Sequence, residues 1–254
     1  MITVAELYRH LDSAIPASLS CEWDNDGLMC CPNPQRPVKK VLLTLDITEK
    51  VIEQAIQQNF DTVVSHHPLI FRPISALNPE KAIPRKLIKL VGNNITAMSF
   101  HTRLDALSGG VNDALALCLG VKNAVPFGNR NEEMGRIGDV EPCSLSDFAH
   151  HVKTALGAPF VLVAGNRPVK RVALLGGNGD AFVDAAKAAG ADTYVSGRLG
   201  YHQMTDAAEN DINLIEAGHF YTENIVLPRL AERIVQADGD IIVECTKSIE
   251  IFAL

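Results

Sequence analysis

An internal duplication constrains the fold of this chain more than any other feature. Residues 38–65 align without a gap to residues 169–196, at an offset of 131 positions, with nine identities in 28 positions. The identities gather at the two ends of the repeat, where VKKV matches VKRV and DTVVS matches DTYVS. Each copy has the pattern of a strand, a helix and a buried strand. The sequence therefore predicts an α/β fold of two related α/β subdomains.

A shift in composition indicates where the two subdomains meet. Residues 126–141 are rich in Gly, Asn and charged residues, which is typical of a boundary. We therefore assign residues 1–125 to the first subdomain and residues 126–217 to the second, with the C-terminal part, 218–254, returning to the first. Helices are predicted near the N-terminus and at 48–58, 84–91 and 144–156. Further strands are predicted at 95–100 and 212–217.

Overall composition excludes several classes of protein. With 254 residues, 47% of them hydrophobic, the chain can bury a large core. Its net charge of −7 and its lack of basic runs argue against nucleic-acid binding as the main function. No apolar run approaches a membrane span of about 20 residues, and the N-terminus lacks a signal-peptide pattern, so a cytoplasmic protein is expected. The six cysteines form no CxxC pair and are interpreted as reduced thiols.

Two adjacent histidines follow the second strand of the first copy. His66 and His67 come directly after DTVVS, at the carboxyl end of a predicted parallel strand, where ligands bind in open α/β sheets. Neighbouring side chains of an extended chain point to opposite faces, so the two histidines can each serve one of two nearby points. A turn with one solvated and one hydrogen-bonded histidine is the alternative.

A second pattern pairs a histidine with a carboxylate in each half. The third strand of the first copy ends in His101, four residues before Asp105, and the corresponding strand of the second is followed by His219, four residues before Glu223. Residues four apart share a face if the backbone turns helically. The second copy carries Gly and Arg in place of the adjacent histidines, which indicates a single site shared by two diverged halves.

The assembled candidates indicate a metal centre. They are His66, His67, Asp105, His219 and Glu223, with His101 and His202 nearby in the pattern. Imidazole and carboxylate donors without thiolate suit zinc, iron, manganese, cobalt or nickel. Five ligands are too many for one hydrolytic zinc ion that keeps an open position, and they are too few to fill the coordination of two ions. Two divalent cations per chain, bridged by a carboxylate and open to water, are therefore expected.

Three further segments keep two interpretations each. The loop at residues 21–31, with the only Trp, is a packed surface loop or the mouth of a site. Asp46 is a turn or cap residue in preference to a site residue. Glycines at residues 176–179 form a tight turn or a phosphate cradle.

A second histidine pair, His150 and His151, lies within a predicted helix, where the two side chains diverge by about 100°. We interpret both as ordinary helix residues.

The ordered motifs resemble those of the NIF-three-like family, whose members are catalogued as type 2 homologues of GTP cyclohydrolase 1. The resemblance covers nearly the whole chain and rests on WDNDGL, SHHPLIF, HTRLDALSGGVND, SGRLGYHQMTDA and EAGHFYTE. It implies the two-subdomain NIF-three-like fold, a dinuclear metal centre and a toroidal homohexamer. It also implies the same five metal ligands, with Glu223 bridging, and implies that His101 and His202 act as acids, as bases or as groups that support the metal ligands. Arg198 departs from the more usual acidic residue after SG.

Two functions from different classes compete. The first is a metal-dependent hydrolase that acts on a nucleotide or related heterocycle, with the glycine loop as a phosphate site. The alternative is a metal-handling or regulatory protein in which the ions are cargo, sensed species or structural ties. A transcription-linked binding module is disfavoured by the acidic charge.

Overall fold

The computed structural model describes residues 1–129 and 132–248, and contacts divide the chain into two units. Among the described residues, the first unit comprises Met1–Leu104 together with residues 227–248, and the second runs from Asp105 to Val226. The chain enters the second unit inside a short helix, α4 (Thr102–Ala106). The boundaries predicted from the sequence are 125/126 and 217/218, whereas these units divide at Leu104/Asp105 and Val226/Leu227.

The first unit is built on a five-stranded sheet with the strand order β1-β4-β3-β2-β11. Strands β2, β3, β4 and β11 are parallel neighbours, whereas β1 runs antiparallel to β4. In chain order its elements are α1 (Val4–Ala14), β1 (Gly27–Cys30), β2 (Lys40–Thr44), α2 (Glu49–Gln57), β3 (Thr62–Ser65), α3 (Ala82–Gly92), β4 (Thr96–Ser99), α10 (Leu227–Ala237) and β11 (Ile242–Cys245). The predicted helices at 48–58 and 84–91 are confirmed as α2 and α3. Sequence patterns missed β1, which lies within the segment interpreted as a loop.

Burial on both faces explains the continuous apolar runs of these strands. Leu42, Val63 and Ala97 pack with residues of α2 and α3 in one cluster. Val41 and Leu43, which alternate with Leu42 along β2, are also fully buried. A strand covered on both sides has no polar face, as expected of a parallel sheet in an α/β protein.

The second unit contains a six-stranded sheet with the order β5-β6-β8-β9-β10-β7. Strands β8, β9 and β10 are parallel neighbours, and β5, β6 and β7 add antiparallel pairs. Its elements are α5 (Val111–Cys118), β5 (Lys122–Asn129), β6 (Glu132–Cys143), α6 (Leu145–Leu156), β7 (Leu162–Ala164), β8 (Val169–Asn178), α7 (Val183–Ala188), β9 (Thr193–Arg198), α8 (Tyr201–Asp206), β10 (Asn213–Glu216) and α9 (His219–Glu223). Val172 and Leu174 of β8 belong to one core cluster and Ala173 and Leu175 to another, so this sheet is also covered on both faces.

The duplication is reproduced in strand register. Thr44 pairs with Ser65 in the β2–β3 ladder, and Leu175 pairs with Ser196 in the β8–β9 ladder, 131 positions later in each strand. The Asp of the repeated DT motif accepts equivalent backbone hydrogen bonds in both copies. Asp61 accepts hydrogen bonds from the backbone N–H groups of residues 39 and 40 over 2.7 and 2.9 Å. Asp192 accepts bonds from those of residues 170 and 171 over 3.0 and 2.9 Å.

The composition shift at residues 126–141 has a structural origin other than a boundary. The segment lies in the antiparallel β5–β6 pair inside the second unit. A Cβ at Gly135 would lie 2.2 Å from the Phe127 ring, so a glycine is needed for this close packing. Glycine in this segment thus marks tight packing of the pair, and the unit boundary lies earlier, before Asp105.

Two expectations about compartment-related features can be compared with the described residues. All six cysteines lie in the described ranges, and none of them forms a disulfide there. Across residues 1–129 and 132–248, the helices lack the combination of length and apolar character that crossing a bilayer requires.

Candidate metal centre

Three histidines of the first unit lie together at the carboxyl edge of its sheet. His66 and His67 directly follow β3, and His101 follows the parallel neighbour β4. Their ring centroids lie 5.0, 5.3 and 5.5 Å apart. Each offers a ring nitrogen that lies within 4.8 Å of the other two. The prediction that the adjacent histidines stand at a strand end is confirmed, and His101 joins them.

All three rings are oriented through Nδ1. His66 donates to the carbonyl oxygen of Phe100 over 3.0 Å. His67 donates to Asp46 Oδ1 over 2.7 Å, and His101 donates to Asp24 Oδ1 over 2.8 Å. Because these partners accept, Nδ1 carries the proton in the neutral ring and Nε2 carries the lone pair. An imidazole anchored in this way is the usual form of a metal-ligating histidine, so these residues fit a metal ion.

Asp24 connects the tryptophan loop to this cluster. Its carboxylate accepts hydrogen bonds from His101 and from the hydroxyl and backbone N–H of Thr102, over 2.6 and 3.1 Å for the latter two. Burial by itself raises the pKa of Asp24, but the hydrogen bonds from His101 and Thr102 outweigh burial and hold that pKa well below its usual range. The carboxylate is therefore ionised at neutral pH. The loop is part of the site and not only a packed surface turn.

Asp46 is also a site residue, which corrects its interpretation as a turn or cap. Besides holding His67, its second carboxylate oxygen accepts a hydrogen bond from Ser248 Oγ over 3.0 Å. No local pattern indicates this role, because Asp46 and His67 are 21 residues apart. The signal that was available is the strand register, which brings the ends of β2 and β3 side by side.

The second unit carries further donors. His219 and Glu223 lie at the two ends of α9, with His219 Nε2 3.0 Å from Glu223 Oε2, as the i, i+4 spacing predicts. A carboxylate oxygen of Asp105, which lies on α4, is within 4.8 Å of one of Glu223. Glu223 is 4% exposed. A nearly buried glutamate beside an imidazole and a second carboxylate matches the oxygen and nitrogen donors that divalent cations take.

Glycines of the repeat make room for this second set. Gly177 has φ +68°, and a Cβ there would lie 2.1 Å from Glu223 Oε1 and 3.3 Å from His219 Nε2. Gly197 occupies the repeat position of His66, and its Cβ would lie 2.8 Å from the Cα of His219. The second copy has no histidine at this position because α9 packs directly on the strand end. This is the physical reason for the divergence of the two copies.

Hydrogen bonding and strand position exclude both interpretations of the glycine loop. The backbone N–H of Gly176 donates to Asn112 Oδ1 over 2.8 Å, and that of Gly177 donates to Thr222 Oγ1 over 3.1 Å. The N–H of Gly179 donates to the carbonyl oxygen of Arg198 over 3.3 Å. These donors are already used by the protein, so the segment does not form a phosphate cradle. It is not a tight turn either, because Gly176 and Gly177 lie within β8, at an irregularity in its register with β9.

The two histidine-to-carboxylate pairs are not equivalent in the fold. Phe100 N donates to Ser65 O, and Ala217 N donates to Ser196 O, so the residue after Ala217, Gly218, corresponds to His101. His101 precedes its helix, whereas His219 is the first residue of α9. The shared spacing arises from positions displaced by one residue. The second pair is therefore not the repeat equivalent of the first.

The remaining histidines differ in their surroundings. His202 is an exposed residue of α8 and belongs to no group of ligand atoms found among the described residues. Arg198, the last residue of β9, is also exposed. His150 Nδ1 donates to Ser146 O within α6, and His151 Nε2 donates to Leu119 O. The interpretation of this second pair as ordinary helix residues is confirmed.

Comparison with known proteins places these features in a family. The family model described as Duf34/NIF3 (NGG1p interacting factor 3) matches residues 2–250. A Clostridium perfringens protein named GTP cyclohydrolase 1 type 2 homolog is 31% identical over 239 residues, covering 91% of each chain. A Schizosaccharomyces pombe protein named NIF3 homolog is 33% identical over 236 residues, covering 86% of this chain and 84% of its own.

The fold of this chain is also found in a solved structure. The crystal structure of a hypothetical protein from Staphylococcus aureus matches with a TM-score of 0.90 and 28% identity, and covers 100% of this chain and 99% of its own. The agreement thus extends across both units of the chain, including the segments that carry the anchored histidines and the α9 carboxylate. The chain belongs to the Duf34/NIF3 family.

Proposed function

We propose that this chain is a dinuclear divalent-metal-dependent hydrolase that acts on a nucleotide or a related heterocycle. One observation carries the proposal: three imidazoles share one sheet edge, and each has Nδ1 fixed by an oxygen acceptor. Ordinary packing does not require three such rings with one ring nitrogen of each within 4.8 Å of the other two. Anchored imidazoles of this kind are usual in metal coordination.

The proposed ligands are the five residues expected from the sequence. His66, His67, Asp105, His219 and Glu223 would hold the two ions. The donors are nitrogen and oxygen, which favours zinc, iron, manganese, cobalt or nickel. When bound, two such ions supply Lewis acidity and activate a water molecule at neutral pH.

The protein's own groups orient the ligands and move protons. Asp46 and the Phe100 carbonyl fix the rings of His67 and His66, so that little reorganisation is needed on binding. His101, oriented by Asp24, can accept or release a proton at Nε2. His202 is proposed as a second acid or base, since its exposed imidazole on α8 can meet a substrate in solution.

Metal content tests the ligand set. The untagged wild-type protein should contain about two divalent ions per chain by elemental mass spectrometry. His219→Ala and Glu223→Gln should lose them while keeping the wild-type circular dichroism spectrum. His150→Ala is the matched control, since His150 is an exposed helix residue, and it should keep the metal. A wild-type protein without stoichiometric metal after reconstitution with zinc, manganese and iron would refute the centre.

Turnover separates hydrolysis from metal handling. The metal-loaded protein should hydrolyse a nucleotide, with GTP tested first because relatives carry the cyclohydrolase name. His101→Ala should keep the metal and lose turnover, which distinguishes a proton-transfer role from a ligand role. A loaded protein that turns over none of a panel of nucleotides, and instead passes its metal to an acceptor, would favour the metal-handling alternative.

A ring-like homohexamer remains a proposal. Support comes from the edge strand β7, where Leu162 and Val163 are exposed beside the exposed Phe160. Apolar residues on an open sheet edge favour association with another chain. Light scattering of the full chain should give six times the monomer mass. Phe160→Asp should lower that mass, and a monomeric wild type would contradict the hexamer.

A further inference from the structure

Two large aromatic side chains lie open to solvent beside the histidine cluster. Trp23 is 56% exposed and Phe71 is 45% exposed. Their ring centroids are 6.1 Å apart with an interplanar angle of 66°, which is an edge-to-face contact. Exposed apolar surface of this kind often marks a binding site.

His101 completes a corner of three rings. Its centroid lies 6.2 Å from that of Trp23 at an angle of 78°, and 6.3 Å from that of Phe71 at an angle of 80°. We call Trp23, Phe71 and His101 the aromatic corner. Since its rings stand at steep angles to one another, a flat molecule stacked on one ring meets the edges of others. Aromatic rings prefer these two contacts.

The aromatic corner is held by hydrogen bonds in the backbone around it. Asn25 Nδ2 donates to the carbonyl oxygen of Ile70, the residue before Phe71, and so ties the tryptophan loop to the chain after β3. Asp24, the residue after Trp23, accepts from His101 over 2.8 Å. A site fixed in this way before binding loses little conformational entropy when a ligand arrives.

We propose that the aromatic corner binds the planar heteroaromatic ring of the substrate, with Trp23 and Phe71 as residues that determine specificity. The proposal rests on the proposed function, because it takes the substrate to be held at the histidine cluster. His101 belongs to both the cluster and the corner, so a molecule held at the cluster is within reach of both aromatic rings. Aliphatic or purely phosphorylated substrates would leave this surface in water.

Binding of two matched probes tests whether the protein recognises the heteroaromatic ring of a ligand. Guanosine monophosphate carries a purine, and ribose 5-phosphate has the same sugar phosphate without it. Trp23 is the only Trp of the chain, so its fluorescence reports events at the corner. In the metal-loaded protein, guanosine monophosphate should quench this fluorescence and bind at least tenfold more tightly than ribose 5-phosphate by calorimetry.

Variants assign the binding to the corner. Trp23→Ala and Phe71→Ala should each weaken guanosine monophosphate binding about 5- to 150-fold, the usual range for loss of one base-stacking partner. Neither change should alter ribose 5-phosphate binding or metal content. Trp23→Phe keeps a ring and should retain most of the affinity. Leu77→Ala is the control, because Leu77 is 64% exposed on the segment that follows Phe71 and has no ring.

These experiments distinguish a failure of the aromatic corner from a failure of the metal centre. Equal affinity for the two probes, or an equal loss in Leu77→Ala, would overturn the aromatic corner and indicate a general apolar patch. If the wild type holds no metal, the proposed function fails. The aromatic corner can still be tested in the metal-free protein by comparing its affinity for guanosine monophosphate with its affinity for ribose 5-phosphate. Full metal content with unaltered probe binding in Trp23→Ala and Phe71→Ala would refute the corner alone.

Discussion

His67 Nδ1 lies 2.7 Å from Asp46 Oδ1, and strand register creates this contact. Thr44 is paired with Ser65 at the ends of β2 and β3, and each partner of the contact follows two residues later. At the corresponding positions of the second copy stand Gly177 and Arg198. The same ladder thus orients a histidine in one copy and leaves space for the α9 side chains in the other.

Removing this carboxylate should weaken metal binding without removing a ligand. In Asp46→Ala, His67 loses its fixed tautomer and orientation, so we expect metal affinity to fall about 10- to 100-fold. Competition with a chromophoric chelator measures the change. Glu53→Ala, which removes an exposed carboxylate on α2 that pairs with Lys89, is the control and should bind metal as the wild type does. Unaltered affinity in Asp46→Ala would show that His67 is not held through this bond.

Stability should depend on the charge of Asp24. The folded-state pKa of Asp24 lies below its usual range, so its ionised form contributes stability above the unfolded-state pKa of about 4, and that contribution is lost as pH falls below this value. In metal-free protein, Asp24→Asn should lower the free energy of unfolding by about 1–3 kcal/mol at pH 7. The difference in the free energy of unfolding between this variant and the wild type should shrink as the pH falls below about 4.

Urea denaturation over a pH series tests this dependence. Asp211→Asn is a suitable control, because Asp211 is an exposed residue paired with Arg167 and should show little effect at any pH. A difference between wild type and Asp24→Asn that stays constant down to pH 2.5 would contradict an ionised, hydrogen-bonded Asp24.

Two glycine substitutions separate backbone strain from loss of the site. Gly157 and Gly177 both have left-handed φ angles, +62° and +68°, but a Cβ at Gly157 meets nothing within 4 Å. Gly157→Ala should therefore lower the free energy of unfolding by only about 1–2 kcal/mol, the penalty for a left-handed backbone in a residue with a Cβ, and it should keep the metal. Gly177→Ala adds an overlap with Glu223 and should cost more and lose metal. Equal metal content in the two variants would contradict the close packing of Gly177 on Glu223.

The duplicated aspartates should have duplicated effects on stability. Asp61→Ala and Asp192→Ala each leave two backbone N–H groups at the start of a strand without their charged acceptor. We expect the free energy of unfolding of each variant to fall by about 1–3 kcal/mol, because each loses hydrogen bonds to a carboxylate and the donors are at most partly buried. Hydrogen exchange should show the first variant opening around β2 and the second around β8. Loss confined to one of the two variants would contradict a shared structural role.

Local patterns in the sequence determined the framework of both units. Apolar runs and turn signals gave the order of strands and helices, and the repeat offset carried the register of β2–β3 over to β8–β9. They also placed His66 and His67 at a strand end and identified the spacing of His219 and Glu223. These features depend on residues close together in the chain, where backbone periodicity alone sets which side chains share a face.

Tertiary structure decided which groups orient these side chains. Asp24 and Asp46 reach their histidines across 77 and 21 residues, and nothing in their own segments distinguishes them from turn residues. The same is true of the glycines at 176 and 177, whose sequence resembles an anion site but whose N–H groups donate to side chains of α5 and α9. Hydrogen bonds between distant segments depend on how strands pair and helices pack, and one sequence read locally does not contain that information.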